Sequence, residues 1–359
     1  MDVWPQDGHG RPELVPRRHG RMIFRAAIVG LSLLIGAEAT MAQPSYQLLQ
    51  FDDLVGWADD DHQEALDVFL STCGDMREAE WKGLCNVARQ GQEARAFFER
   101  FFTPVQIDDG EEALFTGYFE PELRGSLTRG GPYQYPLYRL PESPGQFSRR
   151  EIEENNAFDG LEIAWIDDPV DVFFLQVQGS GRVRLDTGGW LRVGYAGANG
   201  REYSSVGLAL VERGIYEPHQ VSADVIRNWV RSNGEEGLKL LWTNESYVFF
   251  REVNEVPPEK GPLGAMNRSV TTMRTVAIDP SYVTYGAPVW IEKAGADPLN
   301  RLMVAQDTGS AIRGSQRADI FFGTGDEAGR AAGRIKDGGR MVVLMPIQVA
   351  YALLPDVIE

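Results

Sequence analysis

Residues 304–325 read VAQDTGSAIRGSQRADIFFGTG, which sets two aspartates among short apolar runs, glycines and small polar residues. Asp307 ends one apolar run and Asp319 opens the next. A carboxylic acid beside apolar surface loses hydration when it ionises, so its pKa rises, and a second carboxylate nearby raises it further. The pattern therefore predicts that one of the two holds a proton near neutral pH and acts as a general acid. The alternative left open is a turn residue at Asp307 and a strand-end cap at Asp319.

The sequence around this stretch is typical of short strands joined by turns. The strand-like runs are TMRTVAIDP, APVWIEKA, RLMVAQD, ADIFFG and RMVVLMP, and the first contains a third aspartate, Asp279. One helix is predicted over residues 327–336, capped by Asp326. Many short strands with little helix favour a small closed or nearly closed β-barrel.

The rest of the chain divides into a helical block and a second strand-rich region. Residues 57–102 carry apolar side chains at helical spacing and are predicted to pack as core. From residue 114 onward, short strands and turns return. Residues 171–185, DVFFLQVQGSGRVRL, predict a β-hairpin of two strands around a Gly-Ser-Gly turn. The pattern thus predicts a barrel domain with an N-terminal helical cap and a β-rich middle insertion.

Charge and the N-terminal pattern restrict partners and location. The 359 residues carry 35 basic and 52 acidic side chains, a net charge of −17, which argues against nucleic acid or an anionic membrane surface as partner. Arginines precede an apolar run over residues 26–37, and small residues follow, as in a secretory signal peptide. We expect residues 1–42 to be leader and signal peptide, and the mature protein to be exported, periplasmic and soluble. No Cys follows the apolar run, so a lipid anchor is not expected, and no stable membrane span is predicted.

The two cysteines and four histidines bear on disulfide, metal and cofactor chemistry. Cys73 and Cys85 form an even pair in an exported chain, which favours one disulfide, with two free buried thiols as the alternative. Only His62 and His219 follow the leader, so no metal site is expected. No phosphate-binding loop or dinucleotide fingerprint is present, and we expect no cofactor.

Several ordered segments resemble the MltA family of membrane-bound lytic murein transglycosylases and its C-terminal 3D module. These segments are GYFEPEL with YPLYRLP, DVFFLQVQGSGRV, GYAGANGREYSSVG, NESYVFFRE, GPLGAMNRSV and residues 307–325. The resemblance implies a mainly β protein. A double-psi β-barrel domain with a helical N-terminal part would cover residues 43–123 and 252–359. A second, β-barrel-like substrate-binding domain would be inserted over residues 124–251, with the glycan strand of peptidoglycan in the groove between the two.

The resemblance also implies a reaction and a set of site residues. The bond between N-acetylmuramic acid and N-acetylglucosamine would be cleaved without water, leaving a 1,6-anhydro-muramyl end. Asp319 matches the catalytic aspartate, first acid and then base, while Asp307 and Asp279 would tune and orient it. The candidate sugar contacts in the resembling segments are Tyr118, Glu120, Gln176, Gln178, Gly179, Ser180, Tyr195, Asn199, Gly200, Tyr203 and Ser204. Two alternatives stay open: a hydrolytic muramidase in which Asp307 activates water, and a non-catalytic cell-wall binding protein.

Overall fold

The computed structural model describes residues 43–155, 157–257 and 259–353. The leader and signal peptide predicted over residues 1–42 lie outside the described residues. The strands are β1 Ser45–Leu48, β2 Phe102–Asp108, β3 Leu114–Glu120, β4 Glu122–Ser126, β5 Tyr135–Tyr138, β6 Glu162–Ile166, β7 Ser180–Leu185, β8 Trp190–Ala198, β9 Val248–Glu252, β10 Thr275–Ile278, β11 Pro288–Lys293, β12 Leu299–Asp307, β13 Arg317–Thr324, β14 Lys336–Asp337 and β15 Gly339–Pro346. The helices are α1 His62–Thr72, α2 Ala79–Ala88, α3 Ala94–Phe101, α4 Arg149–Asn155, α5 Pro169–Gln178, α6 Val206–Glu212, α7 Ala223–Leu241, α8 Gly325–Ala332 and α9 Ile347–Ala352.

Among the described residues, nine strands form a first sheet in the order β1-β2-β15-β11-β12-β10-β13-β3-β14. Its centre is apolar on both sides, and all four residues of β10 are buried. The helical block predicted over residues 57–102 is present as α1, α2 and α3, whose apolar faces join the core of this sheet. Phe69 and Phe97 are fully buried there, 5.9 Å apart between ring centroids. The predicted disulfide is also present: Cys73, at the end of α1, is bonded to Cys85 in α2.

The described part of residues 122–252 builds a second sheet of six strands in the order β5-β6-β4-β7-β8-β9. Helices α5, α6 and α7 form a separate apolar cluster with each other beside this sheet. The hairpin predicted over residues 171–185 is wrong in its first half, because that half is the helix α5. Asp168 caps its start by accepting a hydrogen bond from the N–H of Val170, and Gly179 ends it in the left-handed region at φ 78°. The helix is buried on most sides, so its apolar run shows no clear period. Of the Gly-Ser-Gly, Gly179 is the helix C-cap, and Ser180 and Gly181 begin β7.

One further prediction about the first sheet needs correction. The helix predicted over residues 327–336 is α8, Gly325–Ala332; its N-cap is Thr324 rather than Asp326, and the residues that follow form the short strand β14. Closure of the sheet into a barrel is not seen: in the described chain, no hydrogen-bonded pairing joins the edge strands β1 and β14. The mainly β architecture of two sheets with flanking helices is confirmed.

The two sheets meet where β3 ends and β4 begins. Glu120, the last residue of β3, is fully buried, and arginines from the second sheet bind its carboxylate. Nε of Arg182 lies 2.9 Å from Oε2, and Nε of Arg192 lies 2.9 Å from Oε1. Thr324, at the end of β13, donates its hydroxyl to Oε2 at 2.8 Å. One carboxylate therefore joins β3 and β13 of the first sheet to β7 and β8 of the second.

Arg192 also binds the chain segment that returns from the second sheet to the first. Its guanidinium donates to the carbonyl oxygens of Pro257 at 3.2 Å and of Lys260 at 2.7 Å. Arg182 donates to the same Lys260 carbonyl at 3.2 Å. The chain leaves the first sheet at Glu120 and returns to it through the segment that contains Pro257 and Lys260. One buried ionic cluster therefore binds both connections between the sheets. In the part of the chain that the structure describes, no helix is both long enough and apolar enough to cross a membrane.

Candidate active site

The register of the first sheet places two of the predicted aspartates in one row across neighbouring strands. Ala277 in β10 is paired with Asp307 in β12 on one side and with Asp319 in β13 on the other. Asp319 is paired in turn with Thr116 in β3. Residues in register point to the same face of a sheet, and adjacent strands lie about 4.8 Å apart. The two carboxylates therefore share one face, and only the small side chain of Ala277 stands between them.

Apolar side chains surround this row and leave its two aspartates only partly exposed to water. They form a buried cluster of Tyr118, Val270, Ala277, Ile312 and Phe321. Tyr118 packs on Phe321 at 5.1 Å between ring centroids, one pair further along β3 and β13 on the same face as Asp319. This surrounding is what the apolar runs beside Asp307 and Asp319 predicted, and it is the main physical cause of their altered acidity.

Asp319 is bound through one of its two oxygens. The hydroxyl of Thr116 donates to Oδ1 at 2.5 Å, and Arg317 donates through Nη2 to that hydroxyl at 2.8 Å. Burial raises the pKa of Asp319, while the hydrogen bond from Thr116 and the charge of Arg317 act to lower it. Within the described residues Oδ2 of Asp319 has no hydrogen-bond donor, so this oxygen is free to meet a ligand.

Both oxygens of Asp307 are bound. Oδ1 accepts from the N–H groups of Ala265 and Thr308, each at 2.9 Å, and Oδ2 accepts from the hydroxyl of Tyr118 at 2.9 Å. Burial, with a smaller contribution from the charge of Asp319, raises the pKa of Asp307 to about 6 against these three hydrogen bonds. Burial also raises the pKa of Tyr118 well above its ordinary value, so its hydroxyl stays protonated and remains a donor to Asp307.

Asp279 lies at the end of β10 and organises the loop between the other two aspartates. Its Oδ1 accepts from the N–H of Ser281 and its Oδ2 from the N–H of Gly314, each at 3.0 Å. Burial acts to raise its pKa, but these backbone donors outweigh it and hold the pKa of Asp279 below its ordinary value, with Arg313 at 3.7 Å adding to the effect. Asp279 is therefore an ionised anchor for the loop, set apart from the row.

Three of the predicted sugar contacts have their polar atoms bound inside the protein. Tyr118 donates to Asp307, and the carboxylate of Glu120 belongs to the arginine cluster between the sheets. Asn199 is buried, and its amide donates to two backbone carbonyl oxygens of neighbouring loops at 3.0 and 2.9 Å. Each of these three side chains therefore forms polar contacts within the protein, Tyr118 with the carboxylate row and Glu120 and Asn199 with other parts of the fold.

The remaining predicted contacts lie in the second sheet and its loops. Gln178 accepts from the N–H of Phe119 at 3.0 Å, beside Gly179 and Ser180, and so reaches β3. Gln176 is buried, and its amide has no hydrogen-bond partner in the described chain. The exposed members are Tyr195, Gly200, Tyr203 and Ser204. No hydrogen bond among the described residues joins these second-sheet side chains to Asp307 or Asp319.

Three site features were missed from the sequence: Thr116, Arg317 and the backbone N–H of Ala265. Thr116 lies inside the strand-like segment LFTGYFE, and Arg317 directly precedes the strand-like run ADIFFG. Their roles depend on which residue pairs with which, and that pairing is not readable from composition. In the described part of the chain, no three His, Cys, Asp or Glu side chains converge as metal ligands.

Two family models match this chain. The model of the MltA specific insert domain matches residues 114–251, and the model of the 3D domain matches residues 274–345. Among curated relatives, the membrane-bound lytic murein transglycosylase A of Escherichia coli strain K12 is 36% identical over 248 residues, which is 66% of this chain and 67% of that protein.

Solved structures show the same likeness. A membrane-bound lytic murein transglycosylase from Agrobacterium tumefaciens has a TM-score of 0.79 at 31% identity, covering 86% of this chain and 100% of that chain. MltA of Escherichia coli with bound chitohexaose has a TM-score of 0.71 at 30% identity, covering 84% of this chain and 94% of that chain.

Proposed function

Because this chain belongs to the MltA family of lytic murein transglycosylases, we propose that Asp319 alone carries out both proton transfers of the reaction. The single observation that supports this assignment is the accessibility of the three carboxylates to a ligand. Both oxygens of Asp307 and both of Asp279 accept hydrogen bonds from the protein. Asp319 is bound through Oδ1 only, which leaves Oδ2 for the substrate.

The distribution of donors also supports the proposal that Asp319 holds the proton of the pair. A hydrogen bond donated to a carboxylate favours its charged form. Asp307 accepts three such bonds and Asp319 accepts one. Since two carboxylates in one apolar setting cannot easily both ionise, we assign one retained proton toward neutral pH to the pair, and we assign it to Asp319, which accepts fewer hydrogen bonds.

In the first step, protonated Asp319 donates its proton to the glycosidic oxygen between N-acetylmuramic acid and N-acetylglucosamine. The bond from C1 to that oxygen breaks, and positive charge develops at C1 of the muramyl ring. The N-acetylglucosamine end leaves with the proton. Thr116, held by Arg317, then stabilises the carboxylate that Asp319 has become.

In the second step, the carboxylate of Asp319 takes the proton from the C6 hydroxyl of the same muramyl ring. The C6 oxygen forms a bond to C1, which closes the 1,6-anhydro ring and returns Asp319 to its protonated form. No water is consumed. The charge of Asp307 stabilises the cationic C1 in both steps and keeps the pKa of Asp319 high.

Hydrolysis at the same bond is the second candidate function. It would need Asp307 as the base that activates a water, as in glycosidases with two carboxylates. Asp307 is poorly suited to that role, since the amides of Ala265 and Thr308 and the hydroxyl of Tyr118 already occupy it.

Product analysis separates the two reactions. We expect the enzyme to release muropeptides from purified sacculi that are one water lighter than the hydrolytic products and inert to borohydride. Mass spectrometry before and after borohydride reduction measures both properties. Reducible muramyl ends would contradict the transglycosylase mechanism, and glycan binding without any product would indicate a binding protein.

The pH dependence tests the coupling between the two aspartates. Removing the negative charge of Asp307 makes ionisation of Asp319 easier, so its pKa falls. We therefore expect Asp307→Asn to move the alkaline limb of the kcat/KM profile to lower pH, because the acid form of Asp319 is lost earlier. Initial rates from acid to alkaline pH at constant ionic strength measure the limb. A limb that stays in place would mean that the charge of Asp307 does not act on the catalytic proton.

The domain organisation and the location belong to the same proposal. We assign residues 43–123 and 252–359 to one domain and residues 124–251 to the inserted substrate-binding domain. In the first domain, we assign the strands of the first sheet to a double-psi β-barrel. The parallel pairs β10–β12 and β3–β13 at the centre of the first sheet support a barrel of crossed parallel strands. Rapid hydrogen exchange at the backbone amides of both edge strands, β1 and β14, would contradict a closed barrel.

We also propose that the exposed residues Tyr195, Gly200, Tyr203 and Ser204, together with Gln176, Gln178, Gly179 and Ser180, contact the glycan.

The signal-like pattern over residues 1–42 supports export to the periplasm, where murein lies. N-terminal sequencing of the protein recovered from the periplasmic fraction tests this location; a chain that still begins at residue 1 would contradict a cleaved leader.

A further inference from the structure

A cavity of about 590 Å³ lies against the Asp307 end of the carboxylate row. Its walls include Ala265, whose N–H is bonded to Asp307. The preceding Gly264 packs closely against the row, since a Cβ at that position would lie 3.2 Å from Cγ of Asp307. The strand order β12-β10-β13-β3 puts Asp307 at one end of the row and β3, which leads into the second sheet, at the other. The cavity therefore adjoins the reacting groups on the flank away from the second sheet.

The charges on the cavity wall differ from those of the chain as a whole. Arg77 and Lys82 line the cavity and are exposed, and within the described residues neither lies within ion-pair distance of a carboxylate. The neighbouring Asp75 is already neutralised by Arg268, with oxygen–nitrogen distances of 2.5 and 3.1 Å. Glu78, an exposed carboxylate, lines the same cavity, so Arg77 and Lys82 leave the wall with one positive charge in excess. In a chain of net charge −17, this excess makes the wall a local anion-binding surface.

The wall is rigid before any ligand arrives. The disulfide between Cys73 and Cys85 closes the loop that carries Arg77 and Lys82. The Asp75–Arg268 pair then fastens this loop to the turn that presents Ala265. Such preorganisation lowers the entropy cost of binding. Met266 and Tyr285 complete the lining with apolar and aromatic surface, suited to small aliphatic side chains.

We propose that this cavity binds the peptide stem of the muramyl residue being cleaved, with Arg77 and Lys82 receiving its free carboxylates. The proposal rests on the proposed function, because a murein glycan carries an acidic peptide on the lactyl group of the same muramyl ring whose C1 bond is broken when Asp319 donates its proton. The cavity would then select peptide-bearing muramyl residues without taking part in the chemistry.

The test compares two soluble substrates: murein strands that carry stem peptides, and the same strands after an amidase has removed the peptides. For the double variant Arg77→Gln/Lys82→Gln we expect kcat/KM on peptide-bearing strands to fall about tenfold, the loss of roughly one charged hydrogen bond. We expect the fall to lie in KM, and activity on peptide-free strands to match the wild type. Arg89→Gln, an exposed arginine at the end of the same helix, is the matched control and should change neither rate.

Equal losses on the two substrates, or no loss on peptide-bearing strands, would overturn the peptide site while leaving the lytic activity in place. A wild-type protein without activity on either substrate would contradict the proposed function instead, and the peptide site with it.

Discussion

Replacing Asp319 with asparagine is expected to lower kcat on murein by about 10³-fold, within the range that general acid–base catalysis supplies. Asparagine keeps the shape of the side chain and an oxygen that can accept from Thr116, but it can neither donate the proton nor take it back. Since Asp319 serves both steps in the proposed mechanism, no second carboxylate replaces it. Product release from sacculi, followed over time by mass spectrometry, measures the loss.

Stability measurements separate a catalytic loss from a folding defect. Burial raises the pKa of Asp319 above its unfolded value, so its ionisation costs stability as pH rises through the folded pKa. Asparagine has no such cost. The variant should therefore be as stable as wild type at acid pH and more stable at alkaline pH, as seen in thermal unfolding.

Asp326→Asn, an exposed substitution at the start of α8, is the matched control for Asp319→Asn and should leave both activity and stability unchanged. Activity within about tenfold of wild type in Asp319→Asn would exclude Asp319 as the proton donor, because a general acid contributes at least 10²-fold.

Replacing Glu120 with glutamine is expected to lower the free energy of unfolding by about 3–5 kcal/mol, the usual cost of removing one partner of a buried ion pair. Glu120 is fully buried, while the side chains of Arg182 and Arg192 are 17% and 8% exposed. Glutamine preserves size and an acceptor oxygen but leaves two cations without their counter-charge. Urea denaturation followed by circular dichroism measures the change.

Arg124 provides a control for Glu120→Gln in the same region of the chain. It pairs with Asp167 at 2.7 Å, but its side chain is 71% exposed, so Arg124→Ala should change stability by no more than about 1 kcal/mol. A change for Glu120→Gln as small as that of Arg124→Ala would mean that the arginines find compensation elsewhere. Activity should fall together with stability, because Glu120 also holds Thr324 at the end of the strand that carries Asp319.

Sequence patterns were reliable for local features. Apolar side chains at helical spacing predicted the block that became α1 to α3, and the even cysteine count favoured the disulfide that is present. The failures were also local in origin. Helix α5 is buried on most sides, so its sequence lacks the polar face that separates a helix from a strand.

The sequence by itself determined that two aspartates lie beside apolar runs, that short strands dominate, and which family the ordered segments resemble. The sequence could not determine the strand pairing that places Asp307 and Asp319 side by side on one face of the sheet. Thr116 and Asp319 are 203 residues apart in the chain, but Oγ1 of Thr116 lies 2.5 Å from Oδ1 of Asp319 in the structure. Glu120 was predicted as a sugar contact from its segment, and the structure shows its carboxylate bound by two arginines of the second sheet. Strand register and ion pairing are properties of segments that meet only after folding, when each hydrogen-bonded ladder places one residue opposite one other. Only the tertiary structure therefore decided which of the three aspartates keeps an oxygen free for substrate.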